Sequence, residues 1–121
     1  MKSNESSEDY LETILLLSKK LPVVRSVDVA NELQFKKSSV SVAMKKLRET
    51  GKITVTDAGY IYLTDEGKEL AENVYERHRV FTEFLTRLGV DPEVAETDAC
   101  RIEHVISEES FLAFKKHIGD I

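Results

Sequence analysis

The 121-residue chain has one cysteine, two prolines and no apolar run near the roughly 18 residues that a membrane-spanning helix needs. A lone Cys100 excludes an internal disulfide, which suits a reducing cytoplasm. The opening MKSNESSEDY is polar and acidic, so no secretory leader is expected. Internal repeats and low-complexity segments are missing too, and the length fits one domain or two small, closely packed ones. Positive charge is scarce overall: the net charge of −5, taken whole, argues against a nucleic-acid binder. Its distribution argues the other way. Residues 34–52 hold six cations (Lys36, Lys37, Lys45, Lys46, Arg48, Lys52) against one anion, Glu49, a local balance of +5. Contact with phosphates is local, so this segment outweighs the sum.

Hydrophobic spacing predicts a first helix over residues 7–20, capped by Ser6 or Ser7 and burying Tyr10, Leu11, Ile14, Leu15 and Leu17. Asp9 and Glu12 stand at i and i+3 on its other side, where acidic residues near a helix start ordinarily just complement the dipole. Pro22 stops it. A second helix is predicted over 26–33 with Ser26 as cap. A third, basic helix follows from about Ser38 to Thr50, with Val40, Ala43, Met44 and Leu47 inward and Gly51 closing it. Two short helices joined by a tight turn form a helix-turn-helix pattern. Ile53–Thr56 and Tyr60–Leu63 around Asp57-Ala58-Gly59 read as a hairpin directly after it, which makes a winged helix.

On the third helix and the turn before it, Lys36, Lys37, Ser38, Ser39, Ser41, Val42, Lys45 and Lys46 are the candidate DNA contacts. Lysines supply phosphate charge, serines touch phosphates or base edges, and Val42 suits a thymine methyl. Arg, Asn and Gln are absent from the first two turns of this helix, so direct base readout is thin and shape readout gains weight.

Thr64 is expected to cap a long helix from about Asp65 to Leu88. Leu70, Ala71, Val74, Tyr75, Phe81, Phe84, Leu85 and Leu88 give it an apolar stripe too long for one small wing domain to cover. A homodimer interface is expected there, which suits a palindromic DNA site. His78 lies in that stripe, and spacing alone makes it a core histidine. Asp91 and Pro92 open the next helix, which carries Ala95, Ala99, Ile102 and Ile106 on one face and Cys100, Glu103 and His104 at i, i+3 and i+4 on another. A thiol, a carboxylate and an imidazole together make an incomplete metal site; a solvated Glu-His pair beside a small core cysteine suits the same residues. Ser107 is expected to cap a last helix with Phe111, Leu112, Phe114 and Ile118 inward.

Glu8-Asp9-Tyr10-Leu11-Glu12, Ser38-Ser39-Val40, the Tyr60–Gly67 run YIYLTDEG, Arg77-His78-Arg79 and Ala99–Val105 together resemble the metal-dependent repressors of the diphtheria-toxin-repressor and manganese-transport-regulator family, from about Ser7 to Ser110. The resemblance implies a mostly α fold with a small β wing: a winged-helix DNA-binding domain, 1–63, followed by a helical metal-binding and dimerisation domain, 64–121. It implies the metal ligands Asp9, Glu12, His78, Cys100, Glu103 and His104. It also implies a cytoplasmic, homodimeric repressor of divalent-metal uptake genes that binds palindromic double-stranded DNA. Asp9 and Glu12 match the manganese-sensing branch, and Cys100 the iron-sensing one. Thr82 and Glu96 stand where the iron branch's second ligand set wants a carboxylate and a histidine. The chain is thus a hybrid, and its end at Ile121 leaves no room for the barrel domain some members append. Carboxylates suit Mn²⁺ and a thiolate suits Fe²⁺, Co²⁺ or Zn²⁺. The expected ion is Mn²⁺ or Fe²⁺, with Co²⁺ or Zn²⁺ able to substitute. A winged-helix regulator indifferent to metal is the first rival reading. A small metalloenzyme is the second, but the chain shows no separate general-base motif for it.

Overall fold

A computed structural model describes residues 3–119, and side chains from Ser7 to Ile118. Six helices and one hairpin follow in the order α1 (Ser3–Ser18), α2 (Ser26–Leu33), α3 (Lys37–Glu49), β1 (Ile53–Val55), β2 (Ile61–Leu63), α4 (Asp65–Arg87), α5 (Pro92–Ile102) and α6 (Glu108–Gly119). They form two compact units, one ending at Glu72 and the other beginning at Asn73, so the division falls inside α4. No helix among the described residues is long and apolar enough to cross a membrane.

In the first unit α1 packs against α2, α3 and β2, and α2 packs against α3. On α1 and α3 its inward residues follow the expected spacing: Tyr10, Leu11, Ile14, Leu15 and Leu17, and Val40, Met44 and Leu47, with Ala43 only half-buried; α2 adds Val29 and Ala30. Each buried side chain of this size contributes roughly 1.5–3 kcal/mol, so the apolar face of α1 outweighs any single polar contact in holding the unit together. The hairpin pairs Ile53 with Leu63, Thr54 with Tyr62 and Val55 with Ile61. Ile53 and Ile61 turn inward, and the Ile61 amide also donates to the Val24 carbonyl at 2.8 Å, which ties the wing to the segment ahead of α2.

Two expected caps are corrected. α1 is already helical at Ser3, so Ser6 and Ser7 lie within it rather than at its start. The polar run ahead of Ser7 contains no proline or glycine to stop a helix, and serine favours a cap only where the helix actually begins. Arg25, not Ser26, caps α2: Ser26 is helical, and Asp28 Oδ2 accepts from the Arg25 amide at 2.9 Å. Thr64 does cap α4, its Oγ1 accepting from the Gly67 amide at 3.1 Å. Gly67 is required for a second reason. A Cβ there would lie 1.9 Å from the Lys52 carbonyl oxygen, so only glycine lets the chain pass this close to the start of the wing.

The second unit has a small core of Phe81, Ala99 and Phe111, with Val80, Ile102, Ile106 and Phe114 packed on it. Phe114 meets Phe81 and Phe84 edge-on, with ring centroids 5.3 and 5.2 Å apart. Asp91 caps α5 through the Glu93 amide at 3.1 Å with Pro92 in the first turn, and Ser107 caps α6 through the Ser110 amide at 3.1 Å. One leucine expected inside is not: Leu112 is 51% exposed, because it lies on a side of α6 that no described neighbour covers. α5 also ends sooner than its apolar spacing suggests. Glu103 is its C-cap and His104 lies in the turn beyond, where the Val105 amide bonds back three residues to the Ile102 carbonyl.

Candidate metal centre

The end of α5 and the turn after it bring three donor types together. A Cys100 sulfur, a Glu103 carboxylate oxygen and a His104 ring nitrogen lie within 4.8 Å of one another. Cys100 and Glu103 share a side because helical geometry persists through Glu103, whose amide donates to the Ala99 carbonyl at 3.0 Å. His78 comes from α4: its Nδ1 is 3.2 Å from Glu103 Oε2, while His104 Nε2 is 3.4 Å from Glu103 Oε1. Exposure differs sharply across the group. Glu103 is fully buried, the His104 side chain is 2% exposed, and Cys100 is open to solvent.

Glu103 is the residue that most needs explanation. A carboxylate is seldom buried without partners, because losing its hydration costs several kcal/mol. Both of its oxygens are buried, and neither accepts a hydrogen bond among the described residues; the two imidazoles approach without the alignment that such a bond requires. A cation fits this environment. Carboxylate, thiolate and neutral imidazole are the donors that divalent transition metals take, and the charge balance improves when one is held.

Asp9 and Glu12 are placed by α1 in the first unit, three residues apart and therefore on one side of the helix, both half-buried. Between them Tyr10 turns into the core. Its burial first, and the neighbouring Asp9 carboxylate second, push the phenol above its ordinary range.

The candidate DNA residues share one trait. Lys36, Lys37, Ser38, Ser39, Ser41, Val42, Lys45 and Lys46 are all exposed, and Val42 is 69% open despite being apolar. None is consumed by the core, so the whole outward side of α3 is available to a partner.

One residue at the centre escaped the sequence reading. Arg77 Nη1 donates to the Glu103 carbonyl at 3.2 Å, and its guanidinium lies over the Phe111 ring, 5.5 Å from the centroid. Arg77 thus holds the backbone of the turn that carries Glu103. Its place beside His78 in the Arg77-His78-Arg79 motif was the one available hint; a contact across 26 residues has no local signature.

Residues 3–59 match the family model described as the iron dependent repressor N-terminal DNA binding domain, and residues 64–121 match its metal binding and dimerisation domain. The chain is 38% identical over 111 residues to the transcriptional regulator MntR of Escherichia coli O6:H1, covering 92% of this chain and 72% of the relative. With the MntR of Salmonella typhimurium it shares 37% identity over 118 residues, covering 95% and 75%. Among solved structures, the metal-dependent transcriptional regulator MtsR superposes with a TM-score of 0.87 at 28% identity over 98% of this chain and 55% of that one. A manganese-dependent transcriptional repressor in complex with manganese superposes with a TM-score of 0.86 at 26% identity, over 93% and 52%. The chain therefore spans about half the length of these solved structures.

Proposed function

The chain belongs to the iron-dependent repressor family, and from that premise we propose that Asp9, Glu12, His78, Cys100, Glu103 and His104 sense a divalent cation and regulate DNA binding by α3. The observation that carries this reading is Glu103: a fully buried carboxylate with no hydrogen-bond donor among the described residues, flanked by two imidazoles and a thiol. The protein is a metal-responsive transcriptional regulator rather than an enzyme.

When bound, a divalent cation supplies the compact positive charge that this acidic donor set lacks. His78, Cys100, Glu103 and His104 would hold it, and Asp9 and Glu12 on α1 would complete the donor set. A shared ion would restrain α1, and in a homodimer that restraint would set the separation of the two α3 helices for successive major grooves, roughly 34 Å apart on DNA. Lys36, Lys37, Lys45 and Lys46 bind phosphates, while Ser38, Ser39, Ser41 and Val42 face the groove. The carboxylates favour Mn²⁺, and the Cys100 thiolate keeps Fe²⁺ in competition, with Co²⁺ or Zn²⁺ able to substitute. The physiological role that fits is repression of divalent-metal uptake genes in the cytoplasm, at palindromic operators. The functional division falls at the start of α4, with 1–63 binding DNA and 64–121 binding metal and the second subunit.

Selection from a random duplex pool tests this directly, run with Mn²⁺, with Fe²⁺ under anaerobic conditions and with a chelator. A palindrome should be enriched only with metal, and the more effective ion is the cognate one. His104→Ala should abolish the metal-dependent enrichment while the protein stays dimeric. Metal and DNA binding are coupled by about 1–3 kcal/mol in such switches, so the lost gain is roughly 5- to 150-fold. Equal enrichment in chelator would leave a DNA-binding protein and remove the metal switch.

A further inference from the structure

The start of α3 is held by no side-chain cap. Lys36 occupies the N-cap position in an extended conformation and makes no capping hydrogen bond through its side chain. The turn ahead of it is shaped by Gln34, a non-glycine residue at φ 59°, followed by Phe35, whose amide donates to the Ala30 carbonyl at 3.1 Å. Phe35 is not a core residue; it is 47% exposed. Its ring nevertheless meets the buried Tyr10 of α1 edge-on, with centroids 5.9 Å apart and planes at 74°. Tyr10 adjoins Asp9 in sequence and is 6% exposed. One aromatic contact thus joins the α1 turn carrying the acidic residues to the residue immediately before the N-cap of α3.

We infer that Phe35 is a positioning residue for the metal response: through Tyr10 it transmits the restraint placed on α1 to the first turn of α3. The inference rests on the reading of Asp9 and Glu12 as metal ligands. Its physical basis is that Tyr10, buried on its core side, cannot shift without moving its edge contact. Phe35 is fixed at its backbone to α2, so the displaced part is the uncapped start of α3. Lys36 to Ser39, four of the proposed DNA contacts, follow directly. An edge-to-face aromatic pair is worth about 0.5–1.5 kcal/mol beyond burial, or roughly a 2- to 12-fold change in an equilibrium.

The test uses the full chain, Mn²⁺ and the duplex enriched from the random pool. Four quantities are measured for the native protein, Phe35→Leu and Phe35→Tyr: Mn²⁺ affinity without DNA, DNA affinity in chelator, DNA affinity at saturating Mn²⁺, and Mn²⁺ affinity on DNA. Phe35→Leu should leave the first two within about two-fold and reduce the metal-induced gain in DNA affinity by roughly 3- to 10-fold. By linkage, the tightening of Mn²⁺ binding on DNA should shrink by the same factor. Phe35→Tyr keeps the ring and should keep the gain. A full gain in Phe35→Leu overturns the inference. So does an equal loss of DNA affinity with and without Mn²⁺, since a ring that only touches DNA or only supports the fold loses both alike. If the native protein itself gains nothing from Mn²⁺ or Fe²⁺, the metal-responsive reading fails, and this inference with it.

Discussion

Glu103→Gln separates a metal ligand from a structural ion pair. The buried Glu103 carboxylate has imidazoles at 3.2 and 3.4 Å but accepts no hydrogen bond at either oxygen among the described residues. A buried polar group left in that state costs about 1–3 kcal/mol, and a charged one more. The neutral, isosteric amide is cheaper to bury, so the chelator-treated variant should be as stable as the native protein or more stable by about 1–2 kcal/mol. Metal reverses the order. At a free concentration 100 times Kd, a ligand bound only by the native state stabilises it by about 2.7 kcal/mol. For a chain of this length each kcal/mol moves Tm by roughly 3–6 °C, so Mn²⁺ should raise the native Tm by roughly 8–16 °C. Glu103→Gln should lose most of that rise. Scanning calorimetry of both proteins, in chelator and in Mn²⁺, measures all four values. A variant that keeps the full Mn²⁺ shift would remove Glu103 from the ligand set. A variant destabilised in chelator by more than about 2 kcal/mol would make Glu103 a structural partner of His78 and His104.

Two further outcomes are expected. Gly67→Ala places a methyl against the Lys52 carbonyl oxygen, 1.9 Å away with no flexible side chain to yield, so the first unit should lose about 3 kcal/mol or more of stability in chemical denaturation. A loss under 1 kcal/mol would mean that α4 starts elsewhere in solution. Arg77→Gln removes the donor to the Glu103 carbonyl and the guanidinium over Phe111, which should weaken Co²⁺ binding by roughly 10-fold or more and alter the visible Co²⁺ spectrum. An unchanged spectrum and affinity would show that the turn holds Glu103 without Arg77.

The chain by itself determined what local periodicity and capping chemistry can encode. Tyr10, Leu11, Ile14 and Leu15 marked the buried side of α1, and Val40, Met44 and Leu47 that of α3, because 3.6-residue spacing puts such residues on one face before any partner is known. Thr64, Asp91 and Ser107 announced their helices because a short oxygen-bearing side chain satisfies amides two or three residues on. The basic segment around α3 was legible for the same local reason. Tertiary structure decided the rest. Serines at 6, 7 and 26 carry the same capping signal as Ser107, yet each is already helical, since the signal of a serine is the same whether or not the chain ahead of it has entered the helix. Cys100, Glu103 and His104 share a sequence pattern, but only packing made Glu103 fully buried and left Cys100 open. By spacing alone His78 is a core histidine, and only the resemblance marked it as a ligand; the fold sets its Nδ1 beside Glu103, and Arg77 carried no local mark of its bond to the same residue. Burial and long-range contact are properties of the pair of surfaces that meet, and a single stretch of chain holds only one of them.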